Sequence, residues 1–139
     1  MKTKFSFSIL VAFVMLLSVN AIAQKSIALV DSKKTHEIID NKTVRIYFTL
    51  TDIANEAARQ KFDNAFKSYQ GAFEVKSQLM GNNTASYMIT MPQARCVEAT
   101  QQMLNAAGIE MLKVDGTDVP TKDMVAYSKK MEDEKKAKK

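Results

Sequence analysis

The chain has 139 residues, a single cysteine and a formal charge of +5, so it holds one domain, and a monomer cannot form an internal disulfide. The positive balance is not a nucleic-acid footprint. Lys2 and Lys4 sit at the extreme start, residues 121–139 carry seven lysines against four acids, and residues 24–120 carry eleven basic and eleven acidic side chains. A neutral domain with a lysine-rich tail and no aromatic-plus-basic platform excludes nucleic acid as the partner.

The first 23 residues have the pattern of an export signal. Lys2 and Lys4 supply the positive start, Phe5 to Val19 the apolar run, and Ala21-Ile22-Ala23 the small residues three apart before Gln24. The apolar run is shorter than the ~20 residues that a bilayer requires. No cysteine lies at the cleavage point, which argues against a lipid anchor. With a short signal, no disulfide and Asn-rich turns, the expected location is the periplasm of a Gram-negative type bacterium, or secretion. Membrane contact is expected only through the signal or weakly through the basic tail.

Residues 24–42 form a polar lead-in with two small apolar clusters, Ile27-Ala28-Leu29-Val30 and Ile38-Ile39. The first is expected as a short edge strand, with Asp31-Ser32-Lys33-Lys34 as its turn. The only histidine, His36, lies here in a polar setting and is expected to be exposed. Val44, Ile46, Phe48 and Leu50 then alternate with Arg45, Tyr47 and Thr49, the period of a half-buried strand.

Thr51 or Asp52 is placed to cap a helix, with Glu56 in its first turn. Ala58, Phe62, Ala65, Phe66 and Tyr69 make that helix's apolar face, and Arg59, Lys61, Asp63 and Lys67 its solvent face. Gly71 is expected to end it. Phe73, Val75 and Leu79 mark a second strand, Met80-Gly81-Asn82-Asn83 a turn, and Ala85, Tyr87, Ile89 and Met91 a third strand. Pro92 suits the start of a second helix, with Val97, Leu104 and Ala107 inward and Gly108 at its end. Met111, Leu112 and Val114 give a fourth strand, closed by Asp115-Gly116.

That order is strand–helix–strand–strand–helix–strand over residues 43–116. It predicts an α+β, ferredoxin-like βαββαβ sandwich, with two helices on one face of a four-stranded antiparallel sheet. Residues 117–139 are expected as a lysine-rich, partly helical tail with a thin apolar stripe at Met124, Tyr127 or Ser128, and Met131.

On the element order, on Ala65-Phe66-Lys67-Ser68-Tyr69-Gln70-Gly71 and on Leu104-Asn105-Ala106-Ala107-Gly108-Ile109, the chain resembles the heavy-metal-associated domain family. In that family two cysteines in the loop before the first helix bind Cu(I) or Zn(II) as thiolates. The resemblance puts Ile53 at the family's methionine and Asn55 and Ala58 at its two cysteines, so the metal loop is degenerate. Met80 is the one soft ligand expected near that loop, and Cys96 is expected at the opposite end of the domain. The seven methionines left after cleavage are scattered and suit core filling better than a Cu site.

Catalysis finds less support still: there is one histidine, no phosphate-binding glycine loop and no nucleophile beside a base. The sequence thus predicts a non-enzymatic, exported binding or interaction module with a degenerate metal loop. Its expected partner is another periplasmic protein, docked on the sheet face of Arg45, Tyr47, Lys76 and Ser86 or added as a strand at a sheet edge. The alternative is a soft-metal carrier using methionine and cysteine ligands such as Met80 and Cys96.

Overall fold

The structure is a computed structural model and describes residues 26–138; the signal sequence expected over residues 1–23 lies outside them. Among the described residues, seven strands and three helices are formed. They are β1 (Ile27–Val30), β2 (His36–Ile38), β3 (Thr43–Leu50), α1 (Glu56–Lys67), β4 (Glu74–Gly81), β5 (Thr84–Pro92), α2 (Cys96–Ala106), β6 (Met111–Val114), β7 (Thr117–Pro120) and α3 (Met124–Ala137). A single 3₁₀ turn, Thr121–Asp123, leads into α3.

All strands join one sheet, ordered β4-β5-β3-β1-β6-β7, with β2 paired to β3 beside β1. The expected four-stranded antiparallel sheet with two helices is therefore wrong. Ile27–Val30 is not an edge strand: it lies between β3, antiparallel, and β6, parallel. A continuous four-residue apolar run is what a strand with neighbours on both sides carries, and Ala28 at its centre is fully buried. Beyond Gly116 the chain does not enter a tail but turns back as β7 on β6, with Val119 opposite Leu112 in the core.

The strand alternation read for β3 and β5 holds residue by residue. Val44, Ile46, Phe48 and Leu50 of β3 and Ala85, Tyr87, Ile89 and Met91 of β5 are buried on one face, beneath the helices. Between β4 and β5, Asn82 and Asn83 both take positive φ, 53° and 57°, and close a two-residue hairpin. That twist matches the strands, and asparagine tolerates it better than most side chains.

Helix α1 starts one turn later than expected. Its cap is Asn55, whose Oδ1 accepts from Ala58 N at 2.9 Å, while Asp52 stands outside in a left-handed conformation. The helix ends at Lys67, so Gly71 does not terminate it but packs under the Tyr69 ring. The inner face is also rotated from the expected one: Phe66 is fully buried, Phe62 only partly, and Asp63 is buried rather than solvated. Phe66 meets Phe48 and Tyr87 edge-on at 5.6 and 5.2 Å between ring centroids, a geometry that favours aromatic pairs beyond simple burial.

Pro92 is the last residue of β5, paired with Thr43, and α2 begins only at Cys96. Met103 and Leu104 carry its inner face into the core, and Gly108, at φ 83°, turns the chain out of the helix. The expected stripe of the C-terminal segment is real at its start, because Met124 and Tyr127 pack against the core, while Met131 is 37% exposed.

Candidate interaction surface

The helices pack on one face of the sheet, and the buried residues form a single cluster on that side. Side chains pointing to the other face are only half-buried. Cross-strand registers arrange them in rows. Glu74, Thr90, Arg45 and Glu37 make one row; Lys76, Met88 and Tyr47 a second; Gln78, Ser86, Thr49, Leu29 and Lys113 a third. The four residues expected on this face, Arg45, Tyr47, Lys76 and Ser86, are thus brought together. The pairing with β1 and β6 adds Leu29 and Lys113, which the sequence did not assign to it.

The first two rows are tied together at one end. Tyr47 Oη donates to Glu37 Oε2 at 2.8 Å, and Arg45 Nη1 lies 3.9 Å from the same carboxylate. The Glu37 hydrogen bond is the main reason that the Tyr47 hydroxyl is held above its ordinary pKa. Arg45 Nε is buried with no hydrogen-bond partner.

The third row ends in a groove of about 680 Å³ lined by Leu29, Thr49, Lys33, Lys113, Asp31 and Asp115 among others. Its origin is a local departure from pairing. Leu29 still faces Thr49, but after Val30 the chain leaves β3 and rejoins it only at His36 opposite Ile46. In between, Asp115 N donates to Val30 O at 3.0 Å, while Tyr47 N donates to Thr35 O at 2.8 Å.

Ser32 donates to the Asp115 carboxylate through both its hydroxyl and its backbone N–H, and these bonds hold Asp115 below the usual carboxylate range. Lys33 and Lys135 act in the same direction. The groove is therefore walled by both signs of charge, with Leu29 and Val30 as its apolar lining.

A second polar cluster lies along the seam between α1 and β4, and sequence spacing had assigned it to solvent. Buried Asp63 accepts from Ser77 Oγ at 2.8 Å and pairs with Lys67 at 2.6 Å and Arg59 at 3.8 Å. Arg59 also donates to Ser77 Oγ and Glu56. Each charge in this seam has a partner of opposite sign. The spacing of Arg59, Asp63 and Lys67 at four-residue steps on one side of α1 is the signal that could have exposed it.

The residues singled out for soft metals do not converge. Asn55 caps α1 and Ala58 supplies the capped N–H. Met80 is exposed in the β4–β5 hairpin, which shares an end of the sheet with the loop before α1 through Ile53 N to Asn83 O at 2.8 Å. Cys96 opens α2 at the other end of β5, where burial pushes its thiol above its ordinary pKa. Among the described residues no group of three His, Cys, Asp or Glu side chains is placed to hold a metal ion, and His36 is exposed on β2. Among the same residues, no helix is long and apolar enough to cross a membrane.

Compared with protein-family models, curated proteins and solved structures, the chain matches none.

Proposed function

We propose that this protein is an exported, non-enzymatic interaction module that docks another periplasmic protein on the uncovered face of its sheet. One observation carries this: among the described residues, a sheet of seven strands has helices on one side only, and the other side mixes Tyr47, Met88 and Leu29 with Arg45, Thr49 and Ser86. Tyrosine, methionine and arginine are the residues enriched in protein interfaces, and a face of half-buried side chains on rigid strands loses little entropy when it is covered. The mixed-charge groove at Lys33, Lys113, Asp31 and Asp115 gives that face a concave end, where an extended segment of the partner would seat.

Site-specific photo-cross-linking in the producing cell tests this. A photoreactive residue at Ser86 or Thr90 should trap one discrete protein, and the same residue at Asn64, on the outer side of α1, should not. Equal capture from both sides, or capture from Asn64 alone, would remove the open face as the docking surface.

A further inference from the structure

We infer that β4 is a self-pairing edge, joining a second copy of this chain across a two-fold axis normal to the sheet. Strand β4 ends the sheet, with β5 as its only strand partner among the described residues. It is eight residues long, an open edge with which another strand can pair over part of its length. Exposed apolar surface gathers on it and just before it: Phe73, Leu79 and Met80 are 65%, 36% and 59% exposed, three of the six large exposed apolar side chains among the described residues.

The charges on the strand favour a second copy over an unrelated peptide, and they select the register. A two-fold axis normal to the sheet keeps each face on its own side, so only residues of the same parity can meet in an antiparallel pair. With Val75 on the axis, Glu74 faces the partner's Lys76 and Lys76 faces the partner's Glu74. The existing Glu74–Lys76 contact at 3.4 Å then becomes a closed square of alternating charge. In the same register Phe73 lies diagonal to the partner's Leu79, within reach of an aromatic ring. Moving the axis to Lys76 would set two lysines directly opposite, a repulsive pair. Moving it to Ser77 would leave Glu74 and Lys76 opposite Met80 and Gln78, with no charge partner. Of these three registers only the one centred on Val75 gives the charged side chains partners of opposite sign; it overlaps residues 74–76 of the two strands and sets residues 77–81 beside residues 69–73 of the second copy. It also makes the two uncovered sheet faces continuous, so that a dimer presents its docking surface twice.

Sedimentation velocity on the mature chain over a wide concentration range tests the inference. The expected result is a reversible monomer–dimer equilibrium that weakens with added salt. Glu74→Lys and Lys76→Glu should each weaken dimerisation by roughly tenfold or more, and the double exchange should restore it. Phe73→Asp should weaken it as well. All three positions are exposed, so unchanged thermal unfolding of the variants separates lost pairing from lost folding. A chain that stays monomeric at every concentration overturns the inference. So does a dimer indifferent to Glu74→Lys and Phe73→Asp, or a double exchange that fails to recover.

Discussion

The two faces of one sheet show how a single alternating pattern produces two different kinds of surface. On the covered face, Phe48 and Tyr87 stack at 5.7 Å and Phe66 of α1 closes on both. On the open face, Tyr47 follows its neighbour's partner in register, opposite Met88, but keeps its hydroxyl on the surface carboxylate of Glu37. The strands are the same and only the layer above them differs. Stability resides where the helices pack, and the proposed contact surface is the face where they do not. Changes on the two faces should accordingly separate into unfolding effects and binding effects.

The largest expected effect is on the covered side. Phe66→Ala removes a fully buried ring that packs with three others, Phe48, Phe62 and Tyr87, and should cost about 3–5 kcal/mol in denaturant unfolding. Phe62→Ala should cost less, because Phe62 is only partly buried at the rim of the same cluster. If the two cost the same, the rotation of α1 described above is wrong. Next comes the seam between α1 and β4. Asp63→Ala deletes a buried acceptor for Ser77 and the ion-pair partner of Lys67. A loss of about 1.5–3 kcal/mol is expected, the range for hydrogen bonds to charged groups.

These two residues also show what the sequence disclosed and what it did not. Residues 43–114 follow the strand and helix order that hydrophobic periodicity predicts, because β3 and β5 alternate strictly and α1 has an apolar stripe. Periodicity says which side of a helix is apolar, but not how far a neighbouring strand wraps that helix. Asp63 therefore looked like solvent and proved to be a buried partner of Ser77.

The sheet was misjudged at its other end for a related reason. Ile27-Ala28-Leu29-Val30 is too short to declare its neighbours, and its parallel pairing with β6 joins residues more than 80 positions apart. No local signal encodes that contact. Thr117–Pro120 has only one buried residue, Val119, and resembles the turn it follows. On the open face, Arg45, Tyr47, Lys76 and Ser86 were legible from alternation alone, whereas Leu29, Lys113 and the groove depend on where β1 intercalates.

Titration sharpens the comparison between faces without removing any packing. Burial pushes the Tyr87 hydroxyl up to about 12 from its ordinary 10.0, and its proton is donated to Arg59 O at 2.9 Å. The folded state then holds this proton more tightly than the unfolded state. The stability contribution is whole below pH ~10 and is lost as pH rises toward 12. Thermal unfolding should therefore fall in that window for the natural chain and fall less steeply in Tyr87→Phe. An equal slope in both would show that the Tyr87 hydroxyl is not shielded by the helix layer.

Tyr47 provides the smallest effect and the cleanest contrast. Its hydroxyl is also raised, but the first cause is the hydrogen bond to Glu37, with burial second. A shift with that origin should depend on one named carboxylate and on salt, since an exposed pair is screened. Glu37→Gln replaces the charge and retains an acceptor. In that variant the Tyr47 ring signals, followed by NMR, should titrate closer to the ordinary tyrosine value while those of Tyr87 stay where they were. The sign follows from charge: a carboxylate beside a phenol disfavours the phenolate, so removing the charge must lower the pKa. Global stability should move by less than about 0.5 kcal/mol, as for other surface changes. If Tyr47 instead failed to respond and Tyr87 moved, the two faces would be coupled through the sheet, and an uncovered surface free to exchange partners without disturbing the core would no longer describe this fold.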